Sequence, residues 1–108
     1  MQNLKSGIEA CLMCLIACEK CITTCIKVGN QDCIVFCRDC ADICALCAKF
    51  DARGSAYSHK LHALCAEICK ACADECAKHA LIDENCKACT EACKNCAAIC
   101  TELATQKA

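Results

Sequence analysis

The apolar positions of this chain repeat at alternating intervals of three and four residues, and cysteine occupies most of them. In EACLMCLIACEKCITTCIK, residues 9–27, the cysteines stand three, four, three and four residues apart. The same alternation recurs in three later stretches. The four groups are Cys11, Cys14, Cys18, Cys21 and Cys25; Cys33, Cys37, Cys40, Cys44 and Cys47; Cys65, Cys69, Cys72 and Cys76; and Cys86, Cys89, Cys93, Cys96 and Cys100. Such spacing is the a/d pattern of a heptad, so each group predicts a helix with thiols along one face.

These groups predict four helices, near 4–28, 31–50, 58–80 and 83–105. Gly29 and Asn30 make a tight break in which Asn30 can cap the second helix, and Asp83 can cap the fourth. Residues 51–55 form a longer polar connection. Because short connections favour antiparallel neighbours, we predict an all-α fold: an antiparallel up-down-up-down four-helix bundle with a cysteine-lined core. Residues 1–108 are expected to form one domain.

We call the row of a/d positions along each helix its seam. Extending each seam beyond its cysteines shows which residues should lie at the ends of the bundle. Between these end positions every seam residue is cysteine, so thiols are expected to line the interior over about 21 Å of helix. The end positions are Val28, Asp51, His62, His79, Ile82 and Leu103.

Composition and charge exclude several classes of function. The chain has no proline, three glycines and three aromatic residues, which favours helices over a sheet. The net charge of -1 comes from interspersed charges, so no basic face for nucleic acid is expected. No uncharged run approaches the roughly 18 residues of a membrane span, and no export leader stands at the N-terminus. We therefore expect a cytoplasmic protein with no membrane partner.

The 19 cysteines call for a chemical explanation, since alanine or leucine would fill a core without the risk of oxidation. A disulfide scaffold is disfavoured by the odd count, the helical spacing and the lack of an export signal. The spacing Cys14-x3-Cys18-x2-Cys21 has the form of an iron–sulfur motif of radical enzymes, but it recurs as a by-product of the heptad. We find no catalytic constellation and expect no enzyme activity.

Metal binding remains, and charge helps to choose the metal. Loading about 19 thiolates would bury about 19 negative charges, which must be compensated. A zinc ion on four thiolates leaves a charge of about -2, whereas one Cu(I) per thiolate leaves the core near neutral. Sulfurs on one helix stripe can reach a two-coordinate Cu(I) but cannot surround a tetrahedral zinc, which would need thiols from paired helices. Cu(I) sequestration at about one ion per cysteine is favoured; zinc or general soft-metal buffering and a thiol/disulfide redox protein remain alternatives.

The other candidate ligands flank the thiol seam. His62 and His79 stand at opposite ends of the third helix and are predicted to be terminal metal ligands. His59 is expected to face solvent and Met13 to point outward. Apolar residues surround the first helix on all sides, which predicts a subunit interface; they include Leu12, Met13, Leu15 and Ile16.

The helix sequences resemble those of a known family. Cys40-Ala41-Asp42-Ile43-Cys44 and Cys65-Ala66-Glu67-Ile68-Cys69, with Cys-x-x-Cys spacings on four helices, are similar to the cytosolic four-helix-bundle copper storage proteins. The resemblance covers about residues 8–103. It implies a homotetramer without enzyme activity, many Cu(I) ions in the core, and all 19 cysteines as ligands. It also implies that copper passes the connection after the third helix, where His79 stands, that His62 closes the other end, and that a copper chaperone is a candidate donor.

Overall fold

The computed structural model describes residues 4–105, which form four α-helices. Helix α1 spans Leu4–Val28, α2 spans Gln31–Ala52, α3 spans Ser58–Ala77 and α4 spans Glu84–Thr105. Each helix packs against the two that neighbour it around the bundle, and α1 lies diagonally opposite α3. The short connections make neighbours antiparallel, so the predicted all-α bundle is confirmed. Within residues 4–105, no helix combines the length and the apolar character that a membrane span requires.

The helix ends follow the capping residues of the sequence. Gly29 has a φ of 77°, a left-handed conformation that ends α1 at little cost only for glycine. The side chain of Asn30 accepts a hydrogen bond from the backbone N–H of Cys33, at 3.3 Å, and so caps α2. Asp83 caps α4 by accepting from the N–H groups of Asn85 and Cys86, at 2.8 and 3.2 Å.

Three helix ends differ from the expected bounds, and the smallest difference is that α4 begins at Glu84 rather than at residue 83. Helix α2 continues to Ala52, and α3 ends at Ala77 rather than at residue 80. The early end has a local cause, because Lys78 and His79 donate their backbone N–H groups to carbonyls three residues back, at 3.2 and 3.0 Å. These bonds tighten the chain into turns that cannot continue the α-helix. His79 therefore lies just beyond α3, not on it.

The core of the bundle consists mainly of sulfur. All 19 cysteines are buried, with relative exposures of 0 or 1%. The remaining buried apolar residues flank the thiol seam and are mostly small; they are Ala10, Ile22, Ile43, Ala41, Ala48, Ala73 and Leu103. Small flanking side chains let the helices approach closely, so that sulfur atoms on neighbouring helices can touch.

The two ends of the bundle differ in their exposure to solvent. At one end Leu103 is buried together with Asp51 and His62, and we call this the Asp51–His62 end. At the other end, the His79 end, Val28 is 70% exposed and Ile82 is 87% exposed. The expectation that Val28 and Ile82 continue the seam is therefore wrong. Val28 is the last residue of α1, and Ile82 lies in the connection between α3 and α4, so neither is covered by a neighbouring helix.

Candidate metal centre

The thiols form a continuous network along the bundle axis. Sulfur atoms four residues apart on one helix lie 3.7–4.0 Å apart, as in Cys65–Cys69 and Cys72–Cys76. Contacts between helices are as short or shorter, and the Sγ atoms of Cys40 and Cys69 are 3.5 Å apart. Cross-helix contacts thus join the four seams into a single cluster of sulfur.

Sets of four thiols come together from different helices. Within each set the Sγ atoms all lie within 4.8 Å of one another, close enough to bind one ion. The first sets along the axis share members, so that a given sulfur belongs to two of them. Five such sets are Cys11, Cys44, Cys65 and Cys96; Cys14, Cys44, Cys69 and Cys96; Cys14, Cys18, Cys40 and Cys93; Cys18, Cys72, Cys89 and Cys93; and Cys21, Cys33, Cys37 and Cys76.

This arrangement bears on an alternative that the sequence left open, namely zinc bound between paired helices. A single helix stripe cannot surround a tetrahedral ion, but the folded bundle gathers four thiols from three or four helices at each level. Coordination geometry therefore does not exclude zinc. The choice between zinc and Cu(I) must come from charge and from the sharing of sulfurs between neighbouring sets.

Burial governs the protonation of three thiols near the His79 end, those of Cys25, Cys33 and Cys86. Removal from water disfavours the thiolate, and it raises the pKa values of Cys25, Cys33 and Cys86 above that of a free cysteine. Neighbouring thiolates would repel one another and raise these pKa values further. These thiols are thus neutral at physiological pH in the metal-free protein, and a metal ion must displace their protons.

A buried histidine–carboxylate pair closes the Asp51–His62 end. Nε2 of His62 lies 2.7 Å from Oδ2 of Asp51, and His62 is 1% exposed. Burial raises the pKa of the Asp51 carboxyl, and the hydrogen bond from His62 opposes that rise. Gly7 leaves room for the pair, since a Cβ there would stand 3.0 Å from Oδ2 of Asp51 and 2.7 Å from the side chain of Leu103. Among the described residues, Nδ1 of His62 has no hydrogen-bond partner.

The His79 end carries a second histidine–carboxylate pair. Nε2 of His79 lies 3.4 Å from Oε2 of Glu75, and Nζ of Lys78 lies 3.1 Å from the other oxygen, Oε1. The Glu75 side chain is only 10% exposed, whereas that of His79 is 29% exposed. His79 therefore stands at the boundary between the thiol cluster and solvent.

The chain matches the family model described as Csp: Copper storage protein, over residues 1–105. The chain belongs to the copper storage protein family. No curated protein matches it.

Solved structures of other members of the family share this bundle. The apo form of copper storage protein 3 from Bacillus subtilis is 42% identical, with a TM-score of 0.88 over 94% of this chain and 98% of that one. Its Cu(I)-bound form is 41% identical, with a TM-score of 0.90 over 96% of this chain and 100% of that one. A cytosolic copper storage protein from Streptomyces lividans, loaded with five coppers, is 36% identical, with a TM-score of 0.90 over 97% of this chain and 94% of that one.

The predicted site residues fall into two groups in this family member. The structure brings all 19 cysteines and His62 into the buried interior, whereas His79 stays at the rim. His59 is exposed, and Met13, 65% exposed, points outward, as expected. The roles of the cysteines, His62 and His79 as ligands stay predictions.

Two carboxylates beside the histidines were not identified as site residues from the sequence. Asp51 stood on the extended seam four residues after Cys47, which was a usable signal for burial at the end of the core. Glu75 follows no such pattern, because it flanks the seam next to Cys76. Only the fold shows that its side chain is buried against His79.

The Asp51–His62 pair predicts a clear effect on the stability of the metal-free protein. We expect His62→Leu to lower the free energy of unfolding by about 3 kcal/mol, because the leucine fills the space but leaves a buried carboxyl unpaired. Adding Asp51→Leu should recover most of that loss. Urea denaturation of the reduced apo protein measures both effects.

The matched control for this experiment is His59→Leu, one turn earlier on the same helix and exposed. That substitution should change the unfolding free energy by no more than about 0.5 kcal/mol. Equal small effects at positions 59 and 62 would contradict the interpretation of the buried pair.

Proposed function

We propose that this protein stores Cu(I) in its bundle core, with the 19 cysteine thiolates as ligands and about one ion per cysteine. One observation carries the proposal: neighbouring four-thiol sets share sulfurs. Cys44 and Cys96, for example, belong to both of the first two sets. A chain of shared sulfurs suits bridging thiolates and ions of low coordination number, which is the chemistry of Cu(I) with soft sulfur ligands. The Cu(I)-bound relative from Bacillus subtilis supports it.

Distances within the cluster suit such loading. With metal–sulfur bonds of about 2.3 Å, a linear S–Cu–S unit spans about 4.6 Å and a trigonal one has sulfurs about 4.0 Å apart. The Cys40–Cys69 and Cys14–Cys93 contacts of 3.5 and 3.6 Å therefore need to widen by about 1 Å or less. Changes of cysteine rotamer can supply this without moving the helices.

Charge and access weigh against the two alternatives. Separate tetrahedral zinc sites would each retain about -2, and no lysine or arginine is buried among residues 4–105 to offset that charge. Because Cys44 and Cys96 belong to two sets, those neighbouring sets cannot both hold a zinc ion on four thiolates of its own. Thiol–disulfide exchange requires that a partner reach a sulfur atom. All 19 sulfurs are buried, so a redox partner would have no point of attack. No catalytic role is proposed.

The compartment and the source of copper belong to the same proposal. The Streptomyces lividans relative is described as cytosolic, and we infer the same compartment for this protein. A copper chaperone is the inferred donor, and His62 and His79 are the inferred terminal ligands at the two ends. Of these two histidines, His79 is the one that arriving copper can reach, since it is partly exposed and His62 is buried.

Loading capacity tests the storage function directly. Titration of fully reduced, oxygen-free protein with Cu(I) against a competing chelator should saturate near one ion for each of the 19 cysteines, with unchanged helicity. A Cys40→Ala/Cys69→Ala variant should bind about two ions fewer, whereas the exposed Leu64→Ala variant should match the parent. Saturation at a few ions, or displacement of Cu(I) by zinc, would refute the proposal.

Loading should also release protons, because the raised pKa values of Cys25, Cys33 and Cys86 keep these thiols protonated at neutral pH. We expect about one proton per bound Cu(I). Since protons compete with copper, the apparent affinity should rise as the pH rises. A pH indicator in weakly buffered solution measures the release, and protein with alkylated cysteines is the control. Copper uptake without proton release would show that the thiols are already ionised.

Self-association is the last part of the proposal. Leu12, Met13 and Ile16 are exposed on α1 and give it an apolar outer face, which supports a homo-oligomer, with a tetramer expected from the resemblance. Light scattering should show assembly at micromolar concentration. Met13→Lys/Ile16→Lys should yield a smaller species that still loads copper, whereas Leu64→Lys on the diagonally opposite α3 should not change the assembly. A parent protein that is monomeric would disprove this part alone.

A further inference from the structure

The two terminal histidines are held in the same way. Nε2 of His62 meets a carboxylate oxygen of Asp51 at 2.7 Å, and Nε2 of His79 meets a carboxylate oxygen of Glu75 at 3.4 Å. A carboxylate accepts hydrogen bonds, so a ring that donates from Nε2 to it, and carries a single proton, has its lone pair on Nδ1. At both ends of the bundle, the histidine thus has the same ring nitrogen, Nδ1, available as a metal ligand.

We propose that Glu75 is a positioning residue for His79, holding its ring so that Nδ1 meets arriving Cu(I). The inference rests on the proposed storage function and deepens it at the His79 end. A carboxylate behind a ligating histidine fixes the tautomer and orientation of the ring and makes the ligand nitrogen more basic. The bond from Nε2 to Glu75 has this form, and Cu(I) would be bound by Nδ1.

Glu75 itself is held in place, as a positioning residue must be. Its side chain is 10% exposed, and Lys78 occupies Oε1 at 3.1 Å, which leaves Oε2 for His79. Glu75 and His79 are four residues apart around the end of α3, so the pairing needs no distant part of the chain. The histidine is more exposed than the carboxylate that holds it, so copper can reach the ring while its support stays buried.

The effect should appear in the first ions bound, not in the total capacity. We expect Glu75→Leu to weaken binding of the first Cu(I) equivalent by about 10- to 100-fold, the usual cost of losing such a partner. Glu75→Gln keeps an acceptor oxygen and should recover most of the loss. Glu67→Leu, an exposed glutamate on α3, should bind like the parent. Chelator competition at substoichiometric copper measures each value.

A double-mutant cycle separates positioning from a merely structural ion pair. If Glu75 acts through His79, then adding Glu75→Leu to His79→Ala should cause no further loss. An equal loss in both backgrounds would overturn the inference, as would equal effects of the leucine and glutamine variants or no effect of either.

The state of the ring gives a second, independent measurement. In ¹⁵N-histidine-labelled apo protein in mildly alkaline buffer, the NMR signals of His79 should show the proton on Nε2, and Glu75→Leu should let that proton exchange faster. A proton on Nδ1 in the parent would overturn the inference. If Glu75→Leu fails to fold, the parent spectrum and the glutamine variant still decide.

The outcomes distinguish this inference from the storage function beneath it. A parent protein that saturates near one ion per thiol, with first-ion binding insensitive to Glu75, would leave storage standing and remove the role of Glu75. A parent that binds only a few ions would refute storage, and the positioning role at copper would fall with it, whatever the ring spectrum shows.

Discussion

The exclusion of water from every cysteine is the constraint on which the rest of this structure depends. The thiols take the seam positions where leucine would stand in an ordinary bundle, and all 19 are buried. Each is smaller than leucine, so the helices must lie close together to fill the core. That closeness brings sulfurs of different helices within 3.5–4.0 Å, as between Cys14 and Cys40 at 3.6 Å. The sulfur–sulfur contacts that fill the core are thus the same contacts that place the sulfurs close enough to bind a common metal ion.

Burial also dictates the chemistry that the core can undergo. A neutral thiol packs as a small apolar group, but a buried thiolate needs a positive charge beside it. The metal-free and the loaded core can therefore both be uncharged, provided that each proton is replaced by one monovalent ion. The sharing of Cys44 and Cys96 between neighbouring four-thiol sets fits that exchange, because a bridging sulfur serves two ions. A divalent ion on four separate thiolates would leave buried negative charge.

The ends of the bundle differ because the same type of pair is placed in different surroundings. Asp51 and His62 lie within the helices, beneath Leu103, and the pair closes that end. His79 lies beyond the end of α3, where the chain has turned away, and its ring is partly exposed. A buried histidine–carboxylate pair shields the thiols from water, whereas a partly exposed one can meet a metal ion arriving from solution.

The sequence by itself determined the four helices, their caps and the identity of the core, because these depend on local periodicity and on residues such as Asn30 and Asp83 next to the helix ends. It also placed Asp51 and His62 at the end of the seam. Only the tertiary structure decided which sulfurs meet across helices, that four thiols gather at one level, that Val28 and Ile82 are exposed, and that the Glu75 side chain is buried. These outcomes depend on the rotation and axial offset of each helix against its neighbours. Helical spacing along one chain segment does not contain that information.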